Sequence, residues 1–130
     1  MAINVGLNGF GRIGRLVLRR MIQEGGFNVV GINDITDAKT LAHLFKYDSV
    51  HGFLREDVSH DEQTIRVAGR EARFFGEREP DKFPWGTLGA DVVIEATGAF
   101  RGRDDAAQHL QAGARKVLIS APSGDADVTI

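Results

Sequence analysis

Apolar positions along this chain change their spacing several times, and each change marks an element. Ile3, Val5 and Leu7 alternate with the period of a strand and run into Asn8-Gly9-Phe10-Gly11. From Arg12 to Glu24 the spacing turns helical. Ile13, Val17 and Met21 form one apolar row and Gly14, Leu18 and Ile22 the next, while Arg15, Arg19 and Gln23 face the other way. Leu16 is an outlier on the polar side. Gly25-Gly26 ends that helix. Phe27 to Asn33 is a near-continuous apolar run through Val29, Val30 and Ile32, which suits a strand covered on both faces. Leu41, Leu44 and Phe45 then predict a second helix over Ala38 to Tyr47.

Between Asp48 and Trp85 the character changes. Thr64–Val67, a turn at Ala68-Gly69-Arg70-Glu71, and Ala72–Phe75 read as a β-hairpin, and Pro80 and Pro84 bracket a loop. The earlier pattern returns with a strand over Asp91 to Glu95 and a helix over Asp104 to Ala112. Asp104 and Asp105 suit the positive end of that helix and Gly113 its stop. Lys116 to Ser120 is a further strand, and Asp127 to Ile130 reads as the start of one more. Strands alternating with helices predict an α/β fold: a mainly parallel sheet with helices on both faces and a β-hairpin insertion.

Length and composition narrow the picture. At 130 residues the chain is one domain. It has no cysteine, which excludes disulfides, Cys-based metal sites and a thiol nucleophile within these residues. The net charge of -2, with both signs interspersed and no basic run, argues against nucleic-acid and anionic-membrane partners. The start goes straight into a strand pattern with no basic n-region, and no apolar run approaches a membrane span, so the chain reads as cytoplasmic. His43, His51, His60 and His109 lack metal-ligand spacing and suit surface or hydrogen-bonding roles. Asp48, Ser49 and His51 have the residue types of a triad but stand too close in sequence for its geometry. Trp85, beside Pro84, reads as a packing anchor.

The candidate chemistry lies at the first strand–helix connection. Gly9-Phe10-Gly11-Arg12-Ile13-Gly14 matches G-x-G-x-x-G between a predicted strand and a predicted helix. Gly9 permits the tight turn, Gly11 lets the backbone approach a pyrophosphate, and Gly14 allows close packing of helix on sheet. Free N–H groups at the helix start, that of Ile13 among them, face the diphosphate. No Gly-Lys-Ser/Thr follows, which argues against a triphosphate loop. Asp34 stands at the end of the second strand, 20 residues beyond Gly14. A carboxylate there can hold both ribose hydroxyls of a dinucleotide and repel a 2′-phosphate, favouring NAD over NADP. Its alternative is a helix N-cap or turn aspartate, but Thr36 and Asp37 are available for capping and leave Asp34 free. Thr97-Gly98 and Ser120-Ala121 follow parallel-type strands and are placed to line a cofactor groove. Each also reads equally well as an ordinary strand-end turn. Together these features predict a Rossmann-type fold, incomplete at its C-terminal edge.

The sequence resembles glyceraldehyde-3-phosphate dehydrogenase along its whole length. The matching strings are Val5 through Arg15, Asn33 through Asp37, Leu44 through Gly52, Pro80 through Gly86, Glu95 through Phe100 and Ile119 through Ser123. Glu79 and Phe53-Leu54 depart from the family's usual residues, outside the cofactor fingerprint. The resemblance implies an NAD site in which Arg12 and Ile13 contact the pyrophosphate mainly through the backbone, beside Asn8, Gly9, Gly11 and Gly14. It implies that Asn33 and Asp34 lie on the adenosine side, that the main chain of Arg78 approaches the adenine, that Thr97, Gly98 and Phe100 form the adenine-side wall, and that Ser120 and Ala121 line the nicotinamide side. It further implies an oxidoreductase that converts glyceraldehyde 3-phosphate, NAD and phosphate to 1,3-bisphosphoglycerate, as a homotetramer at full length. The family's catalytic cysteine follows the strand that breaks off here at Ile130. Residues 1–130 are therefore expected to form an incomplete NAD-binding domain, without the catalytic domain and without turnover. Two alternatives stand beside this reading: a stand-alone dinucleotide-binding module, and the related erythrose-4-phosphate dehydrogenase.

Overall fold

The computed structural model describes residues 2–36, 38–48, 52–53, 58–61, 63–67, 70–79, 82–97 and 103–120. Strand β1 (Ile3–Asn8) leads into helix α1 (Arg12–Glu24), then β2 (Phe27–Asn33) and α2 (Ala38–Lys46). Two short strands, β3 (Tyr47–Asp48) and β4 (Gly52–Phe53), pair with each other. Next come β5 (Val58–His60), β6 (Thr64–Val67), β7 (Arg70–Phe75), the single-turn α3 (Trp85–Leu88), β8 (Val92–Glu95), α4 (Arg103–Gln111) and β9 (Lys116–Ile119). The main sheet runs β5-β6-β7-β2-β1-β8-β9. Its β7-β2-β1-β8-β9 part is parallel throughout, while β5 and β6 extend it antiparallel.

Strand β1 is the middle one of the five parallel strands. The chain passes outward through β2 to the edge strand β5, returns through β6 to β7 beside β2, and then crosses to β8 on the other side of β1. Strand order therefore reverses beside β1, and the carboxyl ends of β1 and β8 open a crevice at that switch point.

Alternation along the strands sends side chains to two covered faces. On one face Val5, Leu7, Ile32, Phe74 and Ile94 pack with Leu18 of α1 and with Leu41 and Phe45 of α2. On the other, Val93 packs with Phe83, Trp85, Ala90 and Ala114. Trp85 is fully buried, as a packing anchor should be. Its ring lies on β1 and β2 where they carry Gly6 and Gly31: a Cβ at Gly6 would come within 2.5 Å of Trp85 Cζ3, and one at Gly31 within 3.2 Å. Phe10 is likewise fully buried, its ring centroid 5.6 Å from that of Phe45. Each such large apolar side chain contributes about 1.5–3 kcal/mol on burial.

Several expectations need correction. The hairpin is present as β6 and β7, but it is no separate insertion. Pairing with β2 draws β7 into the parallel sheet, and β5 adds a third strand on its far side. Helix α2 stops at Lys46, because Tyr47 already pairs in β3. Helix α4 starts and ends one residue earlier than its pattern predicts, and Gly113 at φ 110° turns the chain out of it. On α1, Arg19 is buried and Arg15 half-buried, where the helical wheel puts both outward; only Gln23 of the three is exposed. Long arginine stems can lie along an apolar surface, and Arg15 Nη1 reaches back to donate to the Phe10 carbonyl at 3.0 Å. Ile13, at the head of the predicted apolar row, is 46 % exposed. It sits in the first helical turn, beyond the end of β1 and its core neighbours. The side chains of Asp104 and Asp105, and the strand expected over 127–130, lie outside the described residues.

Candidate functional site

The crevice at the ends of β1, β2 and β8 is a cleft of about 510 Å3 lined by Asn8, Gly9, Gly11, Asn33, Asp34, Ile35, Glu77, Arg78, Phe83, Ala96 and Thr97. That size suits a nucleotide-like ligand. Its floor begins at Gly9, whose φ of 98° strongly favours glycine and whose N–H donates to the Asn33 carbonyl at 2.7 Å. A Cβ at Gly9 would also meet the Ala96 and Thr97 backbone at 2.9 Å, so the turn lies directly against the end of β8.

The three glycines of the motif have distinct surroundings. A Cβ at Gly11 would meet nothing within 4 Å and would project from the cleft wall into space a ligand could fill. A Cβ at Gly14 would lie 2.2 Å from the Gly9 carbonyl oxygen. The close approach at Gly14 is thus onto the turn itself rather than onto the sheet. No side chain caps the start of α1 and no acidic residue occupies its first turn. The first N–H groups of a helix lack intrahelical partners, so this end is electropositive and suited to a diphosphate.

Asp34 is not the free carboxylate that its neighbours suggested. Its Oδ2 accepts the Phe10 N–H at 2.7 Å and its Oδ1 accepts the Thr36 N–H at 2.9 Å. Asp34 thus makes the turn contact itself, which ties the end of β2 to the glycine turn. A carboxylate has about four acceptor positions, so capacity remains for sugar hydroxyls.

Beneath the cleft runs a buried polar network. Asn33 takes the Glu77 N–H on Oδ1 at 2.8 Å and donates from Nδ2 to Asn8 Oδ1 at 2.7 Å. Asn8 Nδ2 donates to Glu95 Oε1 at 2.6 Å, and His109 Nε2 lies 2.7 Å from the same oxygen. Trp85 Nε1 donates to His109 Nδ1 at 3.0 Å. The second oxygen of Glu95 accepts the Thr97 N–H at 3.0 Å and the Thr97 hydroxyl. Glu95 and His109 are almost wholly inaccessible, at 1 % and 0 % exposure. Burial pushes the Glu95 carboxyl up, but the hydrogen bonds from His109, Thr97 and Asn8 outweigh it and hold the group below its ordinary value.

The cleft therefore gathers seven of the predicted residues: Asn8, Gly9, Gly11, Asn33, Asp34, Arg78 and Thr97. Arg78 stands at its edge with its N–H already engaged by Glu77 Oε1 at 3.0 Å, which leaves its carbonyl for a ligand. Gly14 is buried behind the turn, and Arg12 and Ile13 are exposed at the helix start beside it. Ser120 lies apart, exposed after β9 with its N–H bonded to the Glu95 carbonyl at 3.0 Å. Gly98, Phe100 and Ala121 lie outside the described residues. Sequence reasoning did not single out Glu77, Phe83, Glu95 or His109 for the site. Glu95 had a signal, a charged residue closing the run Val92-Val93-Ile94 on a strand covered on both faces.

Comparison with known proteins decides what this cleft belongs to. The family described as glyceraldehyde 3-phosphate dehydrogenase, NAD binding domain, matches residues 3–103. The chain belongs to the glyceraldehyde 3-phosphate dehydrogenase family. It is 53 % identical over 130 residues to the glyceraldehyde-3-phosphate dehydrogenase of Geobacillus stearothermophilus, covering 100 % of this chain and 39 % of that protein. The enzyme of Clostridium pasteurianum is 54 % identical over 121 residues, or 93 % of this chain and 36 % of that protein. That of Priestia megaterium is 52 % identical over 130 residues, with 100 % and 39 % covered. The chain thus spans about two-fifths of the length of these relatives. NAD is the cofactor of the matched domain, and the cleft fits it: a glycine turn with open space at Gly11, an uncapped helix start and an acceptor at Asp34. Among the described residues no helix is long and apolar enough to cross a membrane.

Proposed function

We propose that this chain is the cofactor-holding part of a phosphorylating glyceraldehyde-3-phosphate dehydrogenase, which oxidises glyceraldehyde 3-phosphate with NAD and phosphate to 1,3-bisphosphoglycerate. The observation that carries the reading is the direct tie between the Phe10 amide in the glycine turn and the Asp34 carboxylate, which sets a diphosphate cradle and a ribose acceptor at a constant separation. The Arg12 and Ile13 amides, with Gly9 and Gly11, hold the pyrophosphate. Asn33 and Asp34 face the adenosine ribose, and Arg78, Thr97, Gly98 and Phe100 wall the adenine. Ser120 and Ala121 belong to the nicotinamide side. Bound there, the nicotinamide supplies the hydride acceptor. A chain without cysteine supplies no thiolate for aldehyde attack, so residues 1–130 bind and aim the cofactor and do not turn over substrate.

Calorimetric titration with NAD and NADP tests the proposal, together with an assay for reduction of NAD on glyceraldehyde 3-phosphate and phosphate. The expected result is saturable binding of NAD, weaker binding of NADP, and no turnover by the 130 residues alone. Absence of NAD binding would overturn the cofactor site, and rapid turnover would overturn the division of labour.

A further inference from the structure

We propose that Glu95 is a positioning residue for the dinucleotide site. Its carboxylate sets the direction of the buried hydrogen-bond chain that holds the ends of β8, β1 and β2, and the segment after β7, in the geometry of the cleft. The inference rests on the function proposed above.

The end groups of the chain have roles that cannot reverse. Trp85 Nε1 only donates, so its bond to His109 Nδ1 requires that nitrogen to be bare. The imidazole is therefore neutral and carries its proton on Nε2, from which it donates to Glu95 Oε1. An ionised carboxylate only accepts. Asn8 must then turn Nδ2 toward Glu95 and Oδ1 toward Asn33, and Asn33 must turn Nδ2 toward Asn8. That leaves Asn33 Oδ1 facing the Glu77 N–H, a backbone donor. Two lines of donors, one from Glu77 through Asn33 and Asn8 and one from Trp85 through His109, converge on one oxygen. The Asn8 and His109 nitrogens, 3.4 Å apart, are both donors to it and do not bond each other.

The chain is coupled to the cleft at five lining residues. Asn8, Asn33 and Glu77 are members of it, and Thr97 is held on the second Glu95 oxygen. Phe83 stacks on His109, with ring centroids 5.2 Å apart and planes 14° from parallel. A group of the same volume without the charge would pack equally well but could not serve. In Glu95→Gln one carboxylate oxygen becomes an NH2 donor. On one side it meets Asn8 and His109, on the other the Thr97 N–H. Reversing the Asn8 and Asn33 amides only transfers the conflict to the Glu77 N–H.

The double variant Asn8→Asp with Glu95→Gln moves the carboxylate one place along the chain. The new acceptor at position 8 can take Asn33 and one hydrogen of the amide at position 95, with His109 Nε2 3.4 Å away, and the remaining oxygen at 95 takes Thr97. The line of donors from Glu77 through Asn33 ends on a carboxylate again, while the second hydrogen of the amide at 95 still faces the His109 N–H.

The test measures NAD dissociation constants for the intact protein, Glu95→Gln and the double variant, with circular dichroism as the check on fold. Nitrogen NMR of the imidazoles gives a readout independent of NAD. The expected result is a neutral, Nε2-protonated His109 in the parent, an affinity about tenfold or more weaker in folded Glu95→Gln, and recovery of part of that loss in the double variant. A merely structural role would lower thermal stability without weakening NAD binding by the folded variant. Parental affinity in Glu95→Gln, or a double variant no tighter than the single one, overturns the proposal. If Glu95→Gln does not fold, the double variant and the tautomer decide: a folded, NAD-binding double variant supports it, and an Nδ1-protonated His109 in the parent overturns it. A parent that bound no NAD would overturn the proposed function, and this inference with it. Parental binding undiminished by Glu95→Gln overturns this inference alone.

Discussion

The Phe10 amide donates to Asp34 Oδ2 at 2.7 Å, so the glycine turn and the carboxylate at the end of β2 hold each other in place. The second oxygen of Asp34 is equally committed, to the Thr36 N–H. One side chain thus shapes the turn and presents negative charge to the cleft. The two roles have separable consequences.

Asp34→Ala removes both. NAD affinity should fall and the preference for NAD over NADP should narrow, because the acceptor for the ribose and the repulsion of a 2′-phosphate disappear together. Stability should fall by about 1–3 kcal/mol as the Phe10 N–H loses its partner. Calorimetry with both dinucleotides and denaturant unfolding measure the two effects. Unchanged affinity for both ligands would remove Asp34 from the ribose site.

Gly11→Ala and Gly14→Ala should separate binding from stability. The Gly11 backbone, at φ -74° and ψ -159°, accepts alanine, and its Cβ would meet no protein atom within 4 Å. Stability should stay within about 0.5 kcal/mol, while NAD affinity falls because the methyl group occupies the cleft. At Gly14 the added Cβ would lie 2.2 Å from the Gly9 carbonyl oxygen, a backbone atom that cannot swing aside. Overpacking of this kind costs about 1–3 kcal/mol or more, and the displaced turn should lose NAD as well. Thermal melts and NAD titrations of the pair would contradict this account if Gly11→Ala proved the less stable variant.

Glu95 should give the protein an acid limit. Its folded carboxyl titrates below the ordinary 4.5, so near that pH the unfolded chain binds more protons than the folded one and stability rises with pH. The contribution is complete above 4.5 and is lost as pH falls through the lower folded value. The difference in unfolding free energy between parent and Glu95→Gln should therefore be largest at neutral pH and shrink as pH falls below 4.5. Denaturant unfolding across that range checks it. A difference independent of pH would mean that the carboxylate is no more stabilised in the fold than in the open chain.

Much of the fold was legible in the chain. The bounds of α1 and β2, Arg12–Glu24 and Phe27–Asn33, agree with the apolar spacing residue for residue. Both end on signals carried by neighbouring residues, such as Gly25-Gly26. Of the cleft lining, the turn at Gly9 and Gly11 was legible from its own spacing, and Asn33, Arg78 and Thr97 from the family resemblance. Asp34 lines the cleft, but its backbone partners were not foreseen. The hydrogen-bonding alternative for His109 was right and the surface one wrong.

Taken alone, the sequence determined the strand and helix pattern, the glycine turn, the family likeness and the absence of a thiol. These are properties of single residues or of near neighbours, which periodicity and spacing report directly. Tertiary structure decided the strand order, the entry of β7 into the parallel sheet, and the meeting of Asn8 with Glu95 across 87 positions. The spacing of apolar residues tells which way most side chains face on their own element, with Arg19 and Ile13 of α1 as exceptions. Which polar groups then face one another depends on how the strands are ordered, and that follows from burying all the apolar faces at once.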